Sequence, residues 1–162
     1  MMKARPNDDA LLRDPSADTV DRASALSRLT SDRRLDLEPE IRRLLDAPQP
    51  MLRSEALLAL VGRWWRDEHV DAAVAHLRRD PDPTVRRDAA TALGLFVHRT
   101  GRRRDELARA LVAALREDPD QLTRRRVYGE LLRILAPGQT AAVPDDFDAD
   151  AHVDWALLEP YS

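Results

Sequence analysis

Cysteine is absent from this 162-residue chain, which excludes disulfides and every metal site built on thiolates. Aromatic residues make up only 4%, so any core must be built from Leu, Ala and Val. No window approaches the ~18–20 consecutive apolar residues that a membrane-spanning helix needs. The polar stretch Met1–Asp14 contains no apolar signal segment, and a soluble, cytoplasmic protein is the expectation. Lysine is nearly absent as well: Lys3 stands alone, and all other basic residues are arginines. The formal net charge is −3, unevenly spread. Residues 145–162 carry Asp145, Asp146, Asp148, Asp150, Asp154 and Glu159 with no Lys or Arg, so the rest of the chain is slightly cationic.

What the chain has in abundance is repetition. Asp80-Pro81-Asp82-Pro83-Thr84-Val85-Arg86 leads into Ala89 and Leu93-Gly94, and weaker copies begin at Ala47-Pro48, Asp118-Pro119 and Asp14-Pro15. Aligning Arg-x-x-Ala/Val-x-x-x-Leu gives four sets: Arg22/Ala25/Leu29, Arg53/Ala56/Leu60, Arg86/Ala89/Leu93 and Arg124/Val127/Leu131. A period of about 31–38 residues fits a unit of two short antiparallel helices with two turns.

Helical spacing agrees. Val85, Ala89, Leu93, Phe96 and Val97 share one helix face, and Val70, Ala73, Val74 and Leu77 share another. Between these runs, prolines stop one helix and open the next, with Asp82 placed to cap and Pro83 at the first position. Gly101 and Gly138 read as helix stops. The first helix of each unit is called A and the second B below. The spacing predicts a weak helix at 7–13, B helices at 17–30, 50–66, 83–99 and 120–136, and A helices at 37–46, 68–79 and 102–117. No segment alternates with period two, so no sheet is expected. The organisation is an N-terminal segment (1–13), a repeat domain (14–136) and an acidic C-terminal tail or cap (137–162).

These residues resemble the HEAT repeat family, including its bacterial HEAT-like branch. The third copy carries the resemblance through Asp80, Pro81, Val85, Arg86, Ala89, Leu93 and Gly94. It implies an all-α fold, an α-α superhelix of about four helix pairs, with the B helices lining the concave face. It also implies an interior ladder pairing each turn Asp with the Arg six residues later, as Asp80 with Arg86 and Asp118 with Arg124. Ala47 and Ser16 replace that Asp before Arg53 and Arg22, a departure in the first two repeats. The repeat arginines read as structural, satisfying carboxylates and carbonyls of a neighbouring repeat.

The aligned register selects positions pointing away from the core: Ser54, Glu55, Leu58, Trp65, Arg87, Asp88, Thr91, His98, Arg125 and Arg126. Trp64 and Trp65 cannot both face inward, because helix neighbours lie about 100° apart. Trp64 aligns with core Val97 and Trp65 with open His98. An exposed Trp beside arginines has the composition of a binding hot spot. The arginine runs at 78–79, 102–104 and 124–126 read as solvated or ion-paired surface, with Asp105 and Glu106 diluting the field. The tail's apolar residues, Phe147, Val153, Trp155, Leu157 and Leu158, suit a cap on the last helix pair, a strap across the arginine-bearing face or a segment ordered by a partner.

Catalytic motifs are missing. His69 and His76 lie two helical turns apart, too far to share a metal without other ligands. The His-Glu pairs of HEAT-type iron hydroxylases are absent, since Glu68-His69 has the opposite order. No metal or cofactor is expected. The leading expectation is a non-catalytic scaffold or adaptor that binds a protein partner on its B-helix face, such as a regulator or an immunity-type inhibitor. The alternative is a nucleic-acid binder resembling the HEAT-like alkylpurine DNA glycosylases, which use a basic concave groove with aromatics. Phycobilin lyase HEAT modules are a third class, without a motif of their own in this chain.

Overall fold

The computed structural model describes residues 4–137 and 143–162, and the helix stop read at Gly138 lies outside the described residues. All regular structure among these residues is helical: α1 (Asp8–Arg13), α2 (Thr19–Ser31), α3 (Glu38–Arg43), α4 (Pro50–Leu57), α5 (Val70–Arg79), α6 (Pro83–Thr100), α7 (Arg104–Glu117), α8 (Gln121–Leu135), α9 (Ala149–His152) and α10 (Trp155–Leu158). A π-helical segment, Leu58–Arg63, continues α4. Successive helices pair as α1/α2, α5/α6 and α7/α8, and α3 packs on the π-helical continuation of α4.

The pairs form two layers. The B helices α2, α4, α6 and α8 pack directly on one another, whereas in the A layer α5 and α7 touch only lightly. The B side is tighter because small residues face each other there. A Cβ on Gly62 would lie 3.5 Å from the Ala92 backbone, and a Cβ on Gly94 would collide with Glu130. Closer spacing on one side curves the stack, which puts the B layer on the inner face. The core is aliphatic, as expected: Leu26, Leu29, Leu57, Leu60, Leu77, Leu93, Leu107, Leu111 and Leu131 are all buried, around Phe96.

Caps at the turns work as the sequence implies. The Asp82 carboxylate accepts from Thr84 N–H at 2.7 Å, with Pro83 opening α6. Asp120 does the same for α8 through Thr123. Gly101 closes α6 in the left-handed region at φ 66°. Residues without glycine's freedom take that role elsewhere: Arg33 after α2 and Trp65 after α4 both have φ 55°.

The arginine ladder exists, but its rungs run differently from the expected same-repeat pairs. Arg53 reaches forward to Asp80 through two hydrogen bonds of 2.8 and 2.7 Å. Arg86 likewise reaches Asp118, at 2.7 and 2.9 Å. Within its own repeat each arginine meets backbone: Arg53 donates to the Ala47 carbonyl, Arg86 to the Asp80 carbonyl and Arg124 to the Leu115 carbonyl. So Asp80–Arg86 and Asp118–Arg124 are not carboxylate pairs. Each arginine instead ties its own A–B turn to the next one, which turns a local motif into a bond between repeats. Arg53 therefore keeps a full rung although Ala47 precedes it. Arg22 lacks such a rung, because its aligned forward partner position is Ala47. Arg22 is buried, its Nε has no hydrogen-bond partner among the described residues, and one NH2 reaches only the Leu12 carbonyl at 3.3 Å.

Both ends are tied down. The fully buried Asp8 of α1 accepts from Arg28 of α2 at 2.9 and 2.7 Å. This bidentate bond holds the Asp8 carboxyl below the usual carboxylate range. At the other end Val143 lies over Gly129, and the chain then runs along α8 toward its N-terminus, where Gln121 donates to the Phe147 carbonyl. Phe147 is buried and stacks on Tyr128 at 5.8 Å. Beyond it Leu158 is buried, and Trp155 lies 5.3 Å from the Arg116 guanidinium on α7. Residues 143–162 thus cross the B side of α8 and then cover the open flank of the last helix pair.

Candidate functional site

Every residue selected from the sequence lies on or just beyond a B helix, yet they do not form one even surface. The position one step past each repeat arginine sits in the seam between B helices. Short side chains disappear there: Ala23 and Ser54 are buried. Long ones emerge, and Arg87 and Arg125 are half-exposed at the same position. Ser54 is therefore not an open contact, which corrects the register-based expectation. Its hydroxyl Oγ is buried with no hydrogen-bond partner among the described residues.

Glu55, Leu58, Asp88 and Thr91 are half-buried on the inner face. Glu55 pairs with Arg63 at 3.3 Å, and Thr91 Oγ1 donates to the Arg87 carbonyl at 3.1 Å. Arg87 bonds Asp120 at 3.0 Å and Thr84 Oγ1 at 3.0 Å. Arg125 is engaged by the C-terminal segment, donating to the Val143 carbonyl at 2.9 Å and to Asp145 at 2.6 Å. Arg126 and His98 are exposed. Arg87, Leu122, Arg125, Arg126, Gly129 and Val143 enclose a cationic cleft of about 530 Å³ between α6, α8 and that segment.

Trp65 departs most from the register. The expected B helix 50–66 does not remain α-helical: Trp64 N–H reaches back five residues to the Ala59 carbonyl at 2.9 Å. The π turn adds a residue, so Trp65 does not continue the stripe that ends in His98. Trp64 enters the core and its Nε1 donates to the Thr30 carbonyl at 3.0 Å. Trp65 takes the left-handed position that ends the helix, with Nε1 donating to the Gly62 carbonyl at 3.1 Å and 37% of its surface exposed. The Arg33 guanidinium lies 5.8 Å from the ring, so the two left-handed residues of adjacent repeats meet there. A bulky residue in that conformation costs on the order of 1 kcal/mol.

The register also pointed to residues it did not select. Two positions before the repeat arginines stand Val20, Met51, Thr84 and Leu122, one on each B helix. The three apolar members are 55%, 46% and 55% exposed, a greasy rim along the start of the B layer. The alignment already contained this row, but apolar residues beside core positions carry no local sign that they are exposed.

The arginine runs are ion-paired in part, and Arg78, Arg79, Arg104, Arg124 and Arg126 have no carboxylate partner among the described residues. Arg102 pairs with Asp67, and Arg103 with both Asp71 and Glu106. On the outer side, His69 and Arg66 share Glu38, and His76 contacts Asp80 at 2.8 Å. Among the described residues no cluster of His, Asp or Glu could hold a metal, and no helix is long and apolar enough to cross a membrane. One ionisable group stands out. Glu130 is buried against Gly94, its Oε2 has no hydrogen-bond partner among the described residues, and Arg133 approaches only to 3.5 Å. Burial pushes its carboxyl up to about 7, against weaker pulls from Arg133 and Arg126.

Residues 70–145 match the family model described as HEAT repeats. This segment, just under half of the chain, is similar to HEAT repeats. No curated protein and no solved structure matches it. The matched HEAT segment runs from α5 through α8 to Val143, Pro144 and Asp145, and so includes Arg86–Asp118 and the cationic cleft. HEAT repeats in general mediate protein–protein interaction, and their fold alone specifies no chemistry.

Proposed function

We propose that this chain is a non-catalytic scaffold or adaptor that binds a protein partner on the inner face of its B helices. The observation that carries this reading is Trp65. A large aromatic is left exposed in a strained backbone conformation, under an arginine, at the end of a helix whose preceding tryptophan is used in the core. Aromatic and arginine anchors dominate binding energy at protein interfaces. The apolar rim of Val20, Met51 and Leu122 lies along the other end of the same layer and extends the surface.

A nucleic-acid partner is the weaker reading. Phosphate recognition draws on uncompensated arginines, and here Arg87, Arg102, Arg103 and Arg125 are each paired with a carboxylate of the chain itself. The experiment is affinity capture with wild-type bait and with the Trp65→Ala/Arg87→Ala double variant. The proposal expects a specific partner whose recovery falls at least tenfold with the double variant. Equal recovery refutes binding on this face. Salt-sensitive retention of duplex DNA at moderate ionic strength would favour the second reading.

A further inference from the structure

On the N-terminal half of the B face, α4 and α6 enclose a second cleft, of about 670 Å³. Its apolar side is Pro48, Pro50 and the exposed Met51; its polar side is Glu55, Asp82 and Asp88, and no lysine or arginine lines it. The three carboxylates are not equally free. Asp82 is committed to the α6 N-terminus and Glu55 is shared with Arg63. Asp88 is half-buried and has neither an ion pair nor a side-chain hydrogen bond among the described residues. The second, independent observation is Ser54. It lines the same cleft, is more than nine-tenths buried, and leaves its Oγ without a partner.

We propose that this cleft receives an arginine or lysine side chain of the partner protein, its alkyl stem on Met51 and its charged head on Asp88. The inference rests on the scaffold reading and names the partner's chemistry. A long basic side chain suits the cleft in both of its parts: the methylenes cover apolar surface, and the head supplies donors that a carboxylate in a partly desolvated setting binds strongly. The neighbouring cleft on α6 and α8 is lined instead by arginines, of which Arg126 has no ion pair among the described residues, so the two clefts differ in charge along the inner face.

The test is an NMR titration of the full-length ¹⁵N-labelled protein with acetyl-Leu-Arg-Leu-amide. Its citrulline analogue, which is isosteric and neutral, is the first comparison, and agmatine, a free small cation, is the second. The expected result is saturable shifts of the Ser54, Glu55 and Asp88 amides with the arginine peptide. Citrulline, and the Asp88→Asn variant, should each weaken binding about fivefold to tenfold. Equal binding of the citrulline peptide, an unaffected Asp88→Asn, or no saturation overturns the proposal. So does agmatine binding as tightly as the peptide, which would make the site one for free cations. Shifts of the same amides on simply concentrating the protein would show a second copy as occupant, and would also overturn it. Failure of the scaffold reading is separable. A partner lost on Trp65→Ala/Arg87→Ala but retained by Asp88→Asn leaves the scaffold standing and removes this cleft from it.

Discussion

Restoring an aspartate at position 47 should complete the arginine ladder. Arg53 and Arg86 each hold the aspartate that opens the next repeat's turn, Asp80 and Asp118. Arg22 occupies the equivalent place one repeat earlier, where the aligned partner position is Ala47. The backbone there already has the required shape: φ/ψ is −63°/143° at Ala47 and −63°/131° at Asp80. Arg22 is buried and its Nε has no partner among the described residues, and an orphaned buried donor costs about 1–3 kcal/mol. Ala47 is only half-buried, so desolvating the new carboxylate offsets part of the gain. A net stabilisation of about 1–2 kcal/mol is expected for Ala47→Asp, or roughly 2–8 °C in Tm for a chain of this size. Urea denaturation should show a higher midpoint with an unchanged slope. The new carboxylate's pKa should be depressed by Arg22. Its contribution is therefore present at neutral pH and lost as pH falls through the folded-state value, below the usual carboxylate range. A double-mutant cycle with Arg22→Met isolates the pair. No gain, or a gain that persists in the Arg22→Met background, refutes the reasoning.

Glu130 carries a pH prediction of the opposite sign. Its folded-state pKa of about 7 lies above the ordinary 4.5, so the folded protein keeps the proton after the unfolded chain has lost it. Stability should fall by up to about 3 kcal/mol as pH rises from about 4.5 to 7 and level off above that. Thermal melts from pH 5 to 8 should show the decline in wild type and a much flatter profile in Glu130→Gln; equal slopes would refute it. Gly94→Ala should cost about 1–3 kcal/mol despite alanine's better helix propensity, because its Cβ would fall 2.1 Å from Glu130 Oε2 and 3.0 Å from Glu130 Cβ. A neutral or stabilising result in urea would show that the α6–α8 seam yields easily. Phe147→Ala should cost about 3–5 kcal/mol by emptying the stack on Tyr128. It should also raise amide exchange across α8; a loss below 1 kcal/mol would mean that the C-terminal segment is not a structural cap.

The helices and their core faces were legible because their signals are local. Val85, Ala89, Leu93 and Phe96 declare their face by spacing alone, and Pro83 and Gly101 mark where α6 begins and ends. The candidate site was legible only in part. The register correctly separated Trp64 from Trp65, but a continuous α-helix was assumed, and the π turn at Leu58–Arg63 moved Trp65 from the helical stripe to the helix end. Ser54 and Arg87 occupy the same repeat position; side-chain length against the depth of the seam decides which one reaches the surface.

By itself the sequence determined the period, the pairing of A and B helices and the aliphatic core, since each follows from residues within a few turns of one another. Only the tertiary structure decided which aspartate each arginine holds. It also decided how deep the B seam is, and where the acidic C-terminal residues lie. Asp80 stands six residues from Arg86 in the chain, yet the offset between stacked repeats delivers its carboxylate to Arg53. That offset comes from how closely residues such as Gly62, Ala92 and Gly94 let the B helices approach, a distance set by packing between repeats.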